Sequence, residues 1–169
     1  MFPMSFPRFC GGFMRCEGFI SKSEYVKHLP FAGGYDGASY LSTLELYDPS
    51  RNMIKSLMAM RSVRGYAFVA WLNSQHYVLG GAKGSLRGVS IGNKLFAIGG
   101  GNGIESLTDV EMLTLDIGRW ICTRSMLQRR FVAGAVELNG ILYASEGFDG
   151  SDYLKQWQIF LFISTLVPT

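Results

Sequence analysis

A short string built around two adjacent glycines recurs four times in this sequence. Three copies begin at Gly33, Gly80 and Gly99, and the fourth has Glu146 in the first position, before Gly147. The steps between first residues are 47, 19 and 47 residues. A period of about 20 to 50 residues is typical of solenoids and propellers, in which each unit buries its apolar face against its neighbours. The repeat therefore constrains the fold more strongly than composition does.

Other landmarks recur inside the two long units. A methionine follows the first glycine by 27 residues, and an arginine comes 4 residues later. These are Met60 and Arg64 in the first unit, and Met126 and Arg130 in the second. The matched offsets indicate that both units are copies of one structural module.

Each unit also carries a hairpin signal nine residues after its arginine. The turns are Asn73-Ser74 and Asn139-Gly140, and Asn-Gly is favoured there because both turn residues accept positive φ. Inner hairpins are expected at 66–71 with 76–79 and at 131–138 with 141–145. Outer pairs are expected at 40–48 with 53–57 and at 107–116 with 120–123. The sequence thus predicts an all-β fold made of short four-stranded antiparallel blades.

Composition agrees with this fold class. The chain is 48% hydrophobic and 17% charged, which favours a packed core over disorder. Its 21 glycines and 14% aromatic residues favour short strands joined by tight turns. The net charge of +3 comes from scattered basic residues, so no nucleic-acid partner is expected.

The repeat resembles the kelch motif, in which a glycine pair is followed by Tyr-Asp-Pro, Trp, Met and Arg. The first unit has Tyr47-Asp48-Pro49, and the second has Leu115-Asp116 and Trp120. The resemblance runs from Gly33 to about Lys155 and implies an incomplete kelch β-propeller. Within this class, the stretches beginning at Asp109 and Gly118 look like the carboxy-terminal kelch region of plant development-and-cell-death (DCD) domain proteins.

The sequence departs from the kelch pattern in several places. Met53 stands in place of the expected Trp, and Glu146 in place of a glycine. The short step lacks 47 − 19 = 28 residues, which places a missing outer hairpin after Gly81 and puts Lys83 in the arginine position. Only residues 83–122 are then expected to form a full blade, in a truncated propeller that does not close its ring.

Three regions are predicted from these patterns. Residues 1–32 are expected to be an irregular leader outside the repeats, residues 33–155 a partial propeller, and residues 156–169 an apolar tail outside the repeat pattern. Open strand edges of such an arc favour pairing with other chains, so self-association is expected.

Most of the repeat residues are expected to be structural. Glycine pairs accept positive φ and let backbones approach closely, and a guanidinium satisfies several carbonyls at once. The structural set is Gly33, Gly34, Gly80, Gly81, Gly99, Gly100, Gly147, Tyr47, Trp120, Met60, Met126, Arg64 and Arg130.

The loops after the glycine pairs are the candidate binding sites, because rigid scaffolds carry their binding groups on such loops. Aromatic rings beside carboxylates suit a basic or aromatic peptide, whereas ordinary turn chemistry is the alternative for Asp-Gly. The candidate residues are Tyr35, Asp36, Asn102, Glu105, Phe148 and Asp149. The resemblance implies a protein-interaction module, a scaffold or a substrate-binding part of a stress or cell-death regulator.

An enzyme is not expected. The alternative is a fragment of a kelch-like copper or carbohydrate oxidase of the galactose oxidase type, whose metal would need converging His, Tyr and Cys ligands. His28 lies before the repeats and His76 in a strand position, so neither is a good ligand. No phosphate-binding glycine motif and no catalytic set is recognisable. No cofactor or metal is therefore expected.

Location and membrane contact follow from the cysteines and the apolar runs. Three cysteines, Cys10, Cys16 and Cys122, cannot form a paired disulfide framework, and an odd number suits a reducing compartment. No signal-peptide run is present near the start, and the mostly apolar run of eleven residues at 157–167 is too short to span a bilayer. We therefore expect an intracellular protein, cytoplasmic or nuclear, with no membrane partner.

Overall fold

The computed structural model describes residues 14–15, 28–73, 75–81, 85–101, 104–116, 118–131 and 134–160, and the regular elements within them are all β-strands. The strands form antiparallel sheets. The predicted all-β class with short antiparallel blades is confirmed. Within these residues no helix has the length and apolarity needed to cross a membrane.

The strands of the described residues form four sheets, numbered here in the order in which they pack. Sheet 1 consists of β2 (Leu29–Ala32), β3 (Leu44–Asp48) and β4 (Met53–Ser56). Sheet 2 consists of β1 (Met14–Arg15), β6 (Gln75–Gly80) and β5 (Ala67–Leu72), in that order.

Sheet 3 has the four strands expected of a complete blade. In sheet order they are β10 (Arg119–Cys122), β9 (Val110–Thr114), β8 (Lys94–Ile98) and β7 (Arg87–Ile91). Leu95 pairs with Ser90 on one side and Leu113 on the other, and Leu113 also pairs with Trp120. Sheet 4 consists of β11 (Gly134–Leu138), β12 (Ile141–Ser145) and β13 (Trp157–Phe160).

The inner hairpins turn where the sequence indicates. Asn73, Gly92 and Asn139 all have positive φ, and they lie between β5 and β6, between β7 and β8, and between β11 and β12. The hairpins lie side by side, since β5 packs on β7 and β7 packs on β11. Strand β2 packs on β5, so the order of sheets is 1, 2, 3, 4.

Three strands lie where the sequence predicted none. Sheet 2 was expected to be two strands wide, but β1 pairs with β6 through Met14–Val78 and Arg15–Tyr77. Strand β2 lies in the supposed leader and pairs with β3, while β13 lies in the apolar tail and pairs with β12. The expected width of sheet 2 is wrong because an open strand edge presents unpaired N–H and C=O groups, which a nearby extended segment can satisfy.

Apolar side chains fill the spaces between neighbouring sheets. One cluster joins sheets 1 and 2, a second joins sheets 2 and 3, and a third joins sheets 3 and 4. Leu44 and Val78 belong to the first cluster, Leu79 and Leu95 to the second, and Phe96 and Leu142 to the third. Each sheet is therefore held by burial against its neighbours, which gives a firm base for the loops between strands.

Candidate protein-binding surface

Arg64 and Arg130 are buried at the start of an inner hairpin and hold the ends of strands. Nη1 of Arg64 donates to the carbonyl oxygen of Gly80, and Nη1 of Arg130 donates to those of Glu146 at 2.6 Å and Gln156 at 2.9 Å. Burial lowers the pKa of Arg130 from its ordinary value. Each guanidinium thus satisfies backbone carbonyl groups at the strand ends of its own sheet, beside the glycine string. Lys83, the expected counterpart in sheet 3, lies outside the described residues.

Two of the glycine pairs, at Gly33 and Gly99, lie against the arginine of the following sheet. A Cβ at Gly33 would collide with the carbonyl oxygen of Arg64, and a Cβ at Gly99 would collide with that of Arg130. Both glycines also have positive φ, of 66° and 57°. Glu146 stands at a position where the repeat favours glycine, and it takes the same left-handed conformation at φ 57°. Positive φ is shared by Gly34, Gly80, Gly81, Gly100 and Gly147.

The remaining repeat residues lie in or beside the core. Met60 and Met126 are buried in the clusters that join sheets 1 and 2 and sheets 3 and 4. Trp120 packs against the cluster between sheets 2 and 3. Tyr47 donates its hydroxyl to Oδ1 of Asn52 at 3.0 Å, across the turn between β3 and β4.

The first candidate loop, residues 33–41, carries exposed tyrosines. Tyr35 forms a β-bridge with Tyr40, and the two rings lie 5.2 Å apart between centroids, tilted by 55°. Tyr66 adds a third ring, 6.4 Å from Tyr40 and edge-on to it. All three side chains are exposed, although large aromatic side chains contribute most to stability when they are buried. The loop and Tyr66 thus place three neighbouring aromatic rings in contact with solvent.

Asp36 shapes this loop. Its Oδ1 accepts hydrogen bonds from the backbone N–H groups of Ala38 at 2.8 Å and Ser39 at 2.7 Å. The N–H of Ser39, followed by that of Ala38, lowers the pKa of the Asp36 carboxyl below its ordinary value. Asp36 is exposed and stays ionised at neutral pH, so a negative charge lies beside the tyrosines.

The loop of sheet 4, residues 147–154, repeats this construction. Phe148 forms a β-bridge with Tyr153, and their rings lie 5.3 Å apart at 54°. Oδ1 of Asp149 accepts hydrogen bonds from the N–H groups of Asp152 at 2.8 Å and Ser151 at 2.7 Å, and the bond from Asp152, followed by that from Ser151, lowers the pKa of Asp149. Tyr153 is highly exposed, whereas Phe148 is half-buried. Two sheets therefore present the same combination of an aromatic pair and an ionised aspartate.

The loop of sheet 3 is different. Gly101 and Ser106 form the equivalent bridge, so the backbone is similar but the aromatic pair is absent. The exposed carboxylate of Glu105 accepts a hydrogen bond from Nη1 of Arg129 in a surface ion pair. Its charge is therefore already compensated. Asn102, the other candidate in this loop, lies outside the described residues.

Sequence reasoning missed three of the aromatic residues in these loops. Tyr40 and Tyr153 each follow the first aromatic residue of their loop by five positions, and this spacing was the available signal. Tyr66 lies on a different segment, and only the fold brings it to Tyr40. The three candidate loops are separate elements at equivalent positions of the repeat.

The two histidines are the remaining candidates for metal ligands. His76 is buried, with its ring 4.7 Å from that of Trp71, and burial lowers its pKa. Nε2 of His28 lies 3.5 Å from Oδ2 of Asp48. Among the described residues, no group of three or more His, Cys, Asp or Glu side chains is arranged to hold a metal ion.

The fold and its loops define a class of protein: repeated antiparallel sheets packed face to face, with polar and aromatic loops after the glycine strings of the repeat. Residues 82–127, which include all of sheet 3, match the family model of the Kelch motif. The chain is also similar to Kelch repeat-containing protein kel-10 of Caenorhabditis elegans, with 26% identity over 129 residues. That match covers 76% of this chain and 20% of the relative, so the chain spans about a fifth of the relative's length. Both similarities support the kelch-repeat family.

Proposed function

We propose that this chain is a protein-interaction module of the kelch type, which binds a basic segment of a partner through the loops that follow its glycine pairs. The observation that carries the proposal is the repeated pairing of aromatic rings with an ionised aspartate in sheets 1 and 4. The kelch similarities favour a binding module over an enzyme.

The chemistry of the first loop favours a cationic ligand. The face of a tyrosine ring attracts an ammonium or guanidinium group, and such contacts contribute about 0.5–2 kcal/mol. Tyr35, Tyr40 and Tyr66 present their rings to solvent, and Asp36 supplies the complementary charge. Because Oδ1 of Asp36 is occupied by its own turn, Oδ2 is the oxygen left to face a partner, apart from a long contact of 3.4 Å with the Ser39 hydroxyl.

A finer proposal follows from the resemblance to the kelch region of plant DCD domain proteins. The module would then be a scaffold or substrate-binding part of an intracellular stress or cell-death regulator, in a form shortened after Gly81. The two stretches that carry this resemblance begin at Asp109 and Gly118, and they include residues of β9 and β10 at the outer side of sheet 3. These stretches lie outside the residues of the candidate loops, so a change in a loop tests partner recognition separately from family placement.

The proposal is tested on an array of peptides that are identical except at chosen positions, where each peptide carries basic, neutral or acidic residues. Binding should be strongest for the basic peptides. Asp36→Asn should weaken it, because asparagine keeps the oxygen that forms the turn but removes the charge. Tyr35→Leu should weaken it as well, because leucine keeps an apolar side chain but removes the π face.

The matched control is Leu127→Ala, a change at an exposed side chain that belongs to none of the candidate loops, which should leave binding unchanged. Equal binding of basic and acidic peptides would sink the proposed ligand class. Full binding by both loop variants would sink the assignment to the first loop.

A further inference from the structure

The two ends of the described arc expose apolar faces that are buried everywhere else in it. We propose that the exposed face of sheet 4 docks onto the exposed face of sheet 1 of a second copy of this chain, head to tail, so that two copies complete one ring. The residues of this interface lie on strands, outside the candidate loops.

The first open face lies on β11 and is here called the trailing face; it consists of Val136 and Leu138. Val136 stands three residues before its hairpin turn, as do Ala70 in β5 and Val89 in β7. Ala70 is 6% exposed and Val89 8%, whereas Val136 is 59% exposed. Identical positions in the repeat thus differ in whether a following sheet covers them.

The covering contact is visible one sheet earlier. Val89 shares a buried cluster with Leu142 and Ala144 of β12, which belong to the sheet that follows it. The trailing face of sheet 4 should therefore accept side chains that occupy the same repeat positions as Leu142 and Ala144.

The second open face lies on β2 and is here called the leading face; it consists of Leu29 and Phe31. Phe31 stands two residues before the first residue of the glycine string and Leu29 four, which are the positions of Ala144 and Leu142 in β12. Phe31 is 53% exposed, whereas Ala144 is fully buried. Leu29 is likewise exposed and Leu142 buried. The leading face therefore carries side chains at the repeat positions that cover a trailing face elsewhere in the arc.

The occupant follows from continuity with the interfaces already present. The junctions between sheets 2 and 3 and between sheets 3 and 4 each join a trailing position to a leading position. The two open faces are therefore complementary to each other rather than to themselves. Such a heterologous contact closes into a ring when the rotation per unit allows it. Propellers commonly have about four to eight blades. Two copies of the four described sheets fall within this range.

The test measures the mass of the purified chain by sedimentation across a wide concentration range. The unmodified chain should form a dimer. Val136→Lys and Phe31→Asp each place a charge in an apolar contact and should weaken dimerisation roughly 10- to 100-fold. Both positions are exposed in the single chain, so these changes should leave folding largely intact.

A mixture of the two variants distinguishes head-to-tail packing from pairing of strand edges. In a mixed dimer, one junction joins two unmodified faces and the other brings together the two introduced charges, which have opposite signs, so dimers should return. Leu127→Lys, which lies in the link between sheets 3 and 4, should dimerise like the unmodified chain.

Other outcomes would overturn the proposal. A monomer at every concentration would exclude the contact, and dimers unaffected by either substitution would indicate edge pairing instead. A mixture that stays monomeric would also exclude head-to-tail packing. Hydroxyl-radical footprinting of the unmodified chain gives an independent measurement: Phe31 and Leu138 should become protected as concentration rises, and unchanged labelling would contradict the proposal.

Discussion

The carbonyl oxygen of Arg64 accepts a hydrogen bond from the backbone N–H of Gly34 at 2.7 Å, and the same contact joins Arg130 and Gly100 at 2.8 Å. In each case the glycine belongs to one sheet and the arginine begins the hairpin of the next. Because the guanidinium of the same arginine holds the end of its own sheet, one residue links two repeats. These glycines and arginines thus form the contact that joins neighbouring repeats.

Arg64→Lys should destabilise the chain by about 1.5–3 kcal/mol, the usual contribution of a hydrogen bond to a charged group. Lysine keeps the charge but lacks the planar fork that reaches the Gly80 carbonyl. The measurement is the free energy of unfolding in urea. Arg51→Lys, at an exposed position, should change it by less than about 0.5 kcal/mol. Equal effects of the two changes would contradict a linking role for Arg64.

Gly33→Ala should be among the most damaging single substitutions. The added Cβ meets the Arg64 carbonyl in a backbone conformation that already disfavours side chains. Gly37→Ala is the control, since Gly37 also has positive φ but has no heavy atom within 4 Å of an added Cβ. It should show only the conformational cost, about 1–2 kcal/mol. Thermal unfolding of both variants tests the difference, and similar losses would refute the close approach.

Glu146→Gly should stabilise the chain by about 1 kcal/mol, because glycine occupies the left-handed conformation at no steric cost. Asn139→Gly is the comparison, since asparagine tolerates the same conformation and should gain less. Urea unfolding measures both. A loss of stability in Glu146→Gly would show that the glutamate side chain contributes more than the strain it introduces.

Stability should fall as the pH drops below that at which an exposed histidine titrates. Burial lowers the pKa of His76 below its ordinary value of 6.5. The unfolded chain therefore takes up a proton that the folded chain resists, so the contribution is fully present above about pH 6.5 and is lost below it. Urea unfolding between about pH 7.5 and about pH 5.5 measures the slope. His76→Gln should flatten it; His28→Gln, which keeps His76, should not. An unchanged slope in His76→Gln would contradict the prediction.

The sequence predicted the parts of the fold that local chemistry determines. The turns at Asn73 and Asn139 and the glycine pairs need particular φ values, and these leave a readable pattern. Strands β1 and β13 could not be predicted, because their residues pair only with edges that the folded sheets create. For the same reason the aromatic loop was only half predicted: Tyr35 follows a glycine pair, but Tyr66 reaches Tyr40 through the packing of sheets 1 and 2.

If rigid repeated sheets hold the proposed binding loops in place, residue-resolved amide hydrogen exchange should show slow opening of the central strands. Strand β8 pairs on both sides within sheet 3, whereas β4 lies at the outer side of sheet 1 with all its residues exposed. The amides of β8 should exchange about 100-fold more slowly than those of β4, since exchange there requires the sheet to open. Exchange of β8 as fast as that of β4 would show that no stable blade is present to carry the loops.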